Sequence, residues 1–217
     1  MSNPDSFIRE VTEEVRRDRL YGYVRRYGWI AALLVLLVVG GAAWNEWRKA
    51  QARSAAEAFG DAVLTALDAP DTSARMDALA AVEADGARAA ILQLLIAGEA
   101  QRGGDPETAL AAFTAVAGDP DLPVSYRQLA ALKRVTLAGS ALPMEERESV
   151  LAGLAQPDQP FRPLALEQLA LLRVEAGERD AALAILRDLL DEPNVTQGLR
   201  ARTQQLIVAL GGADGTG

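Results

Sequence analysis

The chain contains neither cysteine nor histidine. Their absence excludes disulfides, thiolate nucleophiles, Cys/His zinc sites, histidine-based triads and imidazole acid–base chemistry together. It does not fix a compartment, because a chain without thiols suits oxidising and reducing surroundings equally. Aromatic residues are scarce at 5%, although half of the 217 residues are hydrophobic. Ala, Leu and Val therefore carry the apolar content, a composition that suits packed helices because Ala and Leu cost least to order there. No segment alternates with the two-residue period of a strand. Positive charge is short over most of the chain: residues 54–217 hold 13 Lys/Arg against 24 Asp/Glu, whereas residues 1–53 hold nine against six. An acidic domain repels phosphate, so nucleic acid is not an expected partner.

One stretch lacks charge altogether. From Trp29 to Trp44 sixteen residues carry no charged or strongly hydrogen-bonding side chain, and Tyr27-Gly28 extends the run to eighteen. As a helix this is roughly 27 Å, enough for a bilayer core. Eight Ile, Leu and Val residues between Ile30 and Val39 contribute on the order of −2 to −5 kcal/mol to insertion. We assign residues 27–47 as a transmembrane helix, with Arg25, Arg26, Tyr27 and Trp29 as interface anchors at one edge and Trp44 and Trp47 at the other. A buried core helix and a cleavable signal peptide are the alternatives, the latter because Gly41-Ala42-Ala43 offers small residues. A leading segment of 26 residues with five acids argues for an uncleaved anchor. Arg16, Arg17, Arg19, Arg25 and Arg26 precede the span closely, while Arg48, Lys49 and Arg53 follow it. The positive-inside rule then puts residues 1–26, a basic amphipathic segment with Phe7, Val11 and Val15 at four-residue spacing, in the cytoplasm. The remainder is exported, which in a bacterial inner membrane means periplasmic.

Gly and Pro divide the rest of the chain into helices expected near 48–68, 71–84, 87–102, 106–117, 123–138, 143–155, 161–176, 178–191 and 196–210. Pro106 and Pro143 fit first-turn positions, and Gly86, Gly118, Gly139 and Gly177 fit stops. Residues 211–217 read as a flexible tail. Setting Gly104 on Gly177 aligns two segments 73 residues apart. Ile96-Ala97 then matches Leu169-Ala170, Ala109-Leu110 matches Ala182-Leu183, Phe113 matches Leu186, and Val116 matches Leu189. The offset is twice a unit of roughly 36 residues. Residues 121–157 hold a degenerate copy that needs an insertion before its second helix. Residues 48–84 form a divergent first hairpin, and 196–210 a terminal capping helix.

These positions resemble the tetratricopeptide repeat. Small residues (Ala97, Ala109, Ala170, Ala182) stand where helices approach closely, bulky ones fill the space beside them, and Pro193 closes the unit. The aromatic residues typical of the motif's first helix are missing. The expected fold is all-α, an N-terminal transmembrane helix followed by a tetratricopeptide-like α-solenoid of helical hairpins over residues 48–210. The order of parts, together with Phe7, Val11, Glu14, Arg16-Arg17 and Arg26-Tyr27-Gly28, resembles the YfgM-like tetratricopeptide family, ancillary subunits of the SecYEG translocon. That resemblance implies a single-pass inner-membrane protein whose periplasmic repeats bind partners at the translocon, including a membrane-anchored chaperone of the prolyl isomerase type.

No catalytic, metal-binding or cofactor-binding constellation stands out, and no enzymatic activity, cofactor or small-molecule substrate is expected. The acid pairs Asp119/Asp121, Glu145/Glu146/Glu148 and Asp191/Glu192 sit in loops or first turns, where carboxylates normally answer helix dipoles or solvate the surface. Gly103-Gly104-Asp105 is a turn rather than a phosphate cradle, since no Lys-Ser/Thr follows. Stacked hairpins offer a groove lined by their first helices. The repeat alignment puts Leu94, Gln101, Arg102, Glu167, Leu171 and Val174 on that groove, with Tyr126 and Arg127 from the degenerate copy. Packing against the adjoining repeat is the alternative use of its apolar members. The expected function is a scaffold for protein partners at the translocon. A periplasmic adaptor for envelope assembly or cell-division control is the alternative.

Overall fold

The computed structural model describes residues 4–212; the side chains of residues 4–24, of Tyr27 and of Ala31 and Ala32 lie outside the described set. The described residues form helices and turns, with no strand among them. The first helix, α1, spans Pro4–Leu67. The basic segment, the apolar run and the first repeat helix, expected as separate elements, all fall within it. No proline occurs between Pro4 and Pro70, and each glycine, the Gly40-Gly41 pair included, costs a helix only about 1 kcal/mol, so nothing there forces a break. By its contacts the chain divides into two compact units, Met1–Ala58 and Phe59–Gly217. In the first, every residue from Leu33 to Ala58 is exposed. Phe7, Val11, Glu14, Arg16 and Arg17 lie outside the described side chains.

The second unit continues with α2 (Thr72–Ala80), α3 (Gly86–Arg102), α4 (Pro106–Gly118), α5 (Val124–Ala138), a 3-10 turn (Gly139–Ala141), α6 (Met144–Leu154), α7 (Arg162–Glu175), α8 (Arg179–Asp191) and α9 (Gln197–Ala209). These bounds fall within one residue of the expected ones, except that α2 stops at Ala80. Local chemistry accounts for them. Asp71 caps α2 by accepting the Ala74 N–H at 2.8 Å, and Asp105 caps α4 by accepting the Thr108 N–H at 3.0 Å, with Pro106 next to it. Two punctuation marks act differently from expectation. Gly86 opens α3 rather than closing α2, using φ +49°, and Pro143 caps α6 from outside rather than entering its first turn.

Gly104, Gly177 and Gly211 share one geometry. Each has φ between 69° and 77°, and the N–H of the following residue reaches five residues back: Asp105 to the Ala100 carbonyl at 2.9 Å, Glu178 to Arg173 at 2.8 Å and Gly212 to Ile207 at 2.9 Å. This is the Schellman closure, which needs a left-handed residue. The shared closure fixes a common register for α3, α7 and α9, so α9 takes a first-helix position rather than acting only as a cap. Of the expected tail, Gly212 is buried and residues 213–217 lie outside the described set.

In the degenerate copy Gly139 takes the equivalent place, with φ +50°, and the three-residue 3-10 turn is the insertion. With those three residues allowed for, Leu151 and Leu154 fall on the Phe113/Leu186 and Val116/Leu189 positions, and all six are buried. Arg147 falls where the other copies have Ala109 and Ala182.

The core is a series of small clusters rather than one mass. Ala66, Leu79 and Leu92 form the first, α3–α5 a second around Phe113 and Val116, α5–α9 a third around Leu151 and Leu189, and α7–α9 a fourth around Leu186 and Ile207. Ala97, Ala109, Ala170 and Ala182 are each at most 1% exposed, as close helix contact requires.

Candidate protein-binding face

First-helix positions counted back from the closing glycines define one face. Three residues before them stand Gln101 on α3, Thr136 on α5, Val174 on α7 and Val208 on α9, and all four are exposed. Six residues before the last three stand Lys133, Leu171 and Gln205, also exposed. The face is polar and cationic towards α3 and α5 and apolar towards the end of the array. Leu171 and Val174 are 38% exposed and Val208 59%, with Leu164 exposed on the same side of α7. Sequence reasoning identified Leu171 and Val174 here; Leu164 and Val208 it missed, although Val208 sits as far before Gly211 as Val174 before Gly177.

The other expected groove residues are used differently. Leu94 and Tyr126 pack against the α3–α5 core. Arg127 is half-buried, and its Nε is shielded without an acceptor among the described residues. Arg102 is exposed and pairs with Glu99. Glu167 is buried and accepts two hydrogen bonds from Arg202, Nε at 2.9 Å and Nη2 at 3.1 Å, which tie α7 to α9. It is a structural tie, and the hydrogen bonds and charge of Glu167 raise the pKa of the Arg202 guanidinium.

Further ion pairs link successive helices. Glu99, 2% exposed, accepts from Arg75 Nε at 2.7 Å, joining α2 to α3. Arg134 pairs with Glu146 at 2.9 Å, joining α5 to α6. Arg147 reaches from α6 to α7 with both Nη atoms on Glu175 at 2.7 Å and its Nε on the Leu142 carbonyl at 3.2 Å. That hydrogen bonding holds the Glu175 carboxyl below the usual carboxylate range, against a smaller opposing effect of burial. Arg173 adds pairs to Glu148 and, at 3.2 Å, to Glu178. Glu146 and Glu148, read from sequence as surface decoration, are therefore inter-element ties, as is Glu192, which accepts from Arg162 Nε of α7 at 2.8 Å. Around Arg147 and Glu175 lies a cleft of about 110 Å³ bordered by Thr136, Gln168 and Leu171. An arginine standing where its sister hairpins carry alanine holds the second helix off the first.

Of the expected membrane-interface residues, Arg25, Arg26, Trp29, Trp44 and Trp47 are exposed, and Tyr27 lies outside the described side chains. The Trp44 and Trp47 rings are 5.1 Å apart. The helix from Gly28 to Leu67 is long and apolar enough in part to cross a membrane, with its apolar stretch wholly unburied. Among the described residues no three acidic side chains gather where one metal ion could be held.

A family model for a tetratricopeptide repeat-like domain matches residues 22–160. The match covers well over half of the chain and takes in the apolar run together with the hairpins up to α6. The chain belongs to this tetratricopeptide repeat-like family, and with it to a class of protein–protein interaction scaffolds. No curated protein and no solved structure matches it significantly.

Proposed function

We propose that this protein is a non-enzymatic scaffold, held in a bacterial inner membrane by residues 27–47, whose first-helix face binds protein partners on the periplasmic side. The partners fitting that reading are the SecYEG translocon and a membrane-anchored periplasmic chaperone, so that the repeats link exported substrates to folding factors. The observation that carries the proposal is the row Gln101, Thr136, Val174 and Val208. Four equivalent positions are left exposed, and the apolar members cluster with Leu164 and Leu171. Exposed apolar side chains in one register are what a docked polypeptide segment would cover. The charge asymmetry across the span supports the orientation.

The test is a photo-crosslinking side chain placed at position 174 in intact membranes, with position 187 on the far side of α8 as control. Adducts with the translocon or a periplasmic chaperone, specific to 174, are expected. Adducts with cell-wall or division proteins instead would replace the translocon reading with the adaptor one. Alkaline phosphatase fused after Gly217 is expected to be active, since that reporter works only outside the cytoplasm.

A further inference from the structure

The repeat register supplies an internal comparison between hairpins. In the α7–α8 hairpin Arg162, in the first turn of α7, places Nε 2.8 Å from Glu192, just beyond α8, and donates through Nη1 to the Ala155 carbonyl. The equivalents in the α3–α4 hairpin, 73 residues earlier, are Ala89 and Asp119. Alanine cannot span that gap, and a pocket of about 440 Å³ stands there. This is within the ~300–1,000 Å³ range of binding pockets. Buried Ala90, Val116 and Leu122 supply its apolar surface, while Asp119 and Asp121 line it as acceptors.

Asp119 Oδ1 accepts the Asp121 N–H at 2.9 Å, and its other oxygen accepts no hydrogen bond among the described residues. Neither carboxylate has an ion-pair partner among the described residues. Arg88, beside Ala89 in sequence, lies instead over the Phe59 ring at 5.6 Å. The positive end of α3 also borders the pocket, but the positive end of α7 borders Arg162 in the same way without preventing its pair with Glu192.

We infer that this pocket takes an arginine side chain of a partner polypeptide, with an apolar neighbour of that arginine resting on Ala90, Val116 and Leu122. The protein fills the corresponding place in its own α7–α8 hairpin with a guanidinium, and the planar donor set of arginine matches a carboxylate. The pocket lies at the other end of α3 from Gln101, so it is separate from the first-helix face and independent of the translocon reading.

The test uses the full chain in lipid nanodiscs and a fluorescein-labelled Gly/Ser dodecapeptide with a central Leu-Arg-Leu, alongside a version carrying citrulline for arginine. Saturable binding of the arginine peptide is expected, about ten-fold tighter than the citrulline one. D119N/D121N should lose a similar factor, and A89R should abolish binding while raising the thermal midpoint, because it recreates the internal pair. L171E on the first-helix face should bind like the wild type. No saturable binding up to millimolar peptide, equal affinity for citrulline, or unchanged affinity in A89R overturns the inference, as does loss of binding in L171E with its helical circular dichroism intact. D119N/D121N, a surface change, decides the matter if A89R does not fold.

Discussion

Arg147 stands where two sister hairpins carry alanine, and it stays charged and buried because Glu175 meets both ends of its guanidinium. The consequence is an acid sensitivity with a defined sign. Hydrogen bonding to Arg147 lowers the Glu175 pKa from 4.5, and hydrogen bonding from Thr108, its side chain first and its backbone N–H second, lowers that of Asp105 from 3.8. A carboxyl whose folded pKa lies below its unfolded one stabilises the fold above the unfolded value, and that contribution is lost as pH falls through the folded one. Stability should therefore decline as pH drops below about 4.5. Urea midpoints measured between pH 7 and pH 3 should show E175Q less stable at neutrality and less steeply dependent on acid. An unchanged acid slope in E175Q would remove Glu175 from the account. None of this pairing was legible in the sequence. Glu175 lies 28 residues from Arg147, and the alanine-equivalent position of Arg147 emerges only once the insertion is known to be three residues.

At the scale of the element, the closing glycines separate two kinds of substitution. Gly177 has φ +77°, and a Cβ added there would meet nothing within 4 Å, so alanine suffers backbone strain without a clash. Gly118 is the last residue of α4, with an ordinary φ and equally open space. Gly177→Ala should destabilise by about 1 kcal/mol, whereas Gly118→Ala should be neutral or stabilising by up to ~1 kcal/mol. Thermal melts followed by circular dichroism check both. Helix ends were readable because Gly and Pro act locally, within one turn. Gly86 misled for the same reason: a glycine with positive φ can open a helix as well as close one, and sequence alone does not give the sign of φ. The continuity of α1 was missed because a change from charged to apolar side chains alters what surrounds a helix, not whether its backbone continues.

At the scale of the whole molecule, the two units differ in what they expose. Residues 33–39 present Leu and Val side chains to the outside with nothing packed on them, a surface that water penalises by about 25 cal/mol per Å² and lipid does not. The full chain is expected to sediment with membranes and to resist extraction at alkaline pH, while a chain cut before Phe59 should be soluble and retain a cooperative helical melt. Release of the full chain by alkali alone would contradict the anchor. The candidate binding face was partly legible at this scale. The 73-residue alignment gave the row that holds Gln101 and Val174, but which members face outward depended on ion pairs such as Glu167–Arg202 that cross between helices.

Four small cores in series also govern how the second unit answers mechanical load. Each hairpin leans on its sequence neighbours, so tension between its ends is not shared across one interior. The weakest junction yields first, and the chain lengthens in steps while the remaining hairpins stay folded. An array of this build is expected to give way gradually rather than all at once.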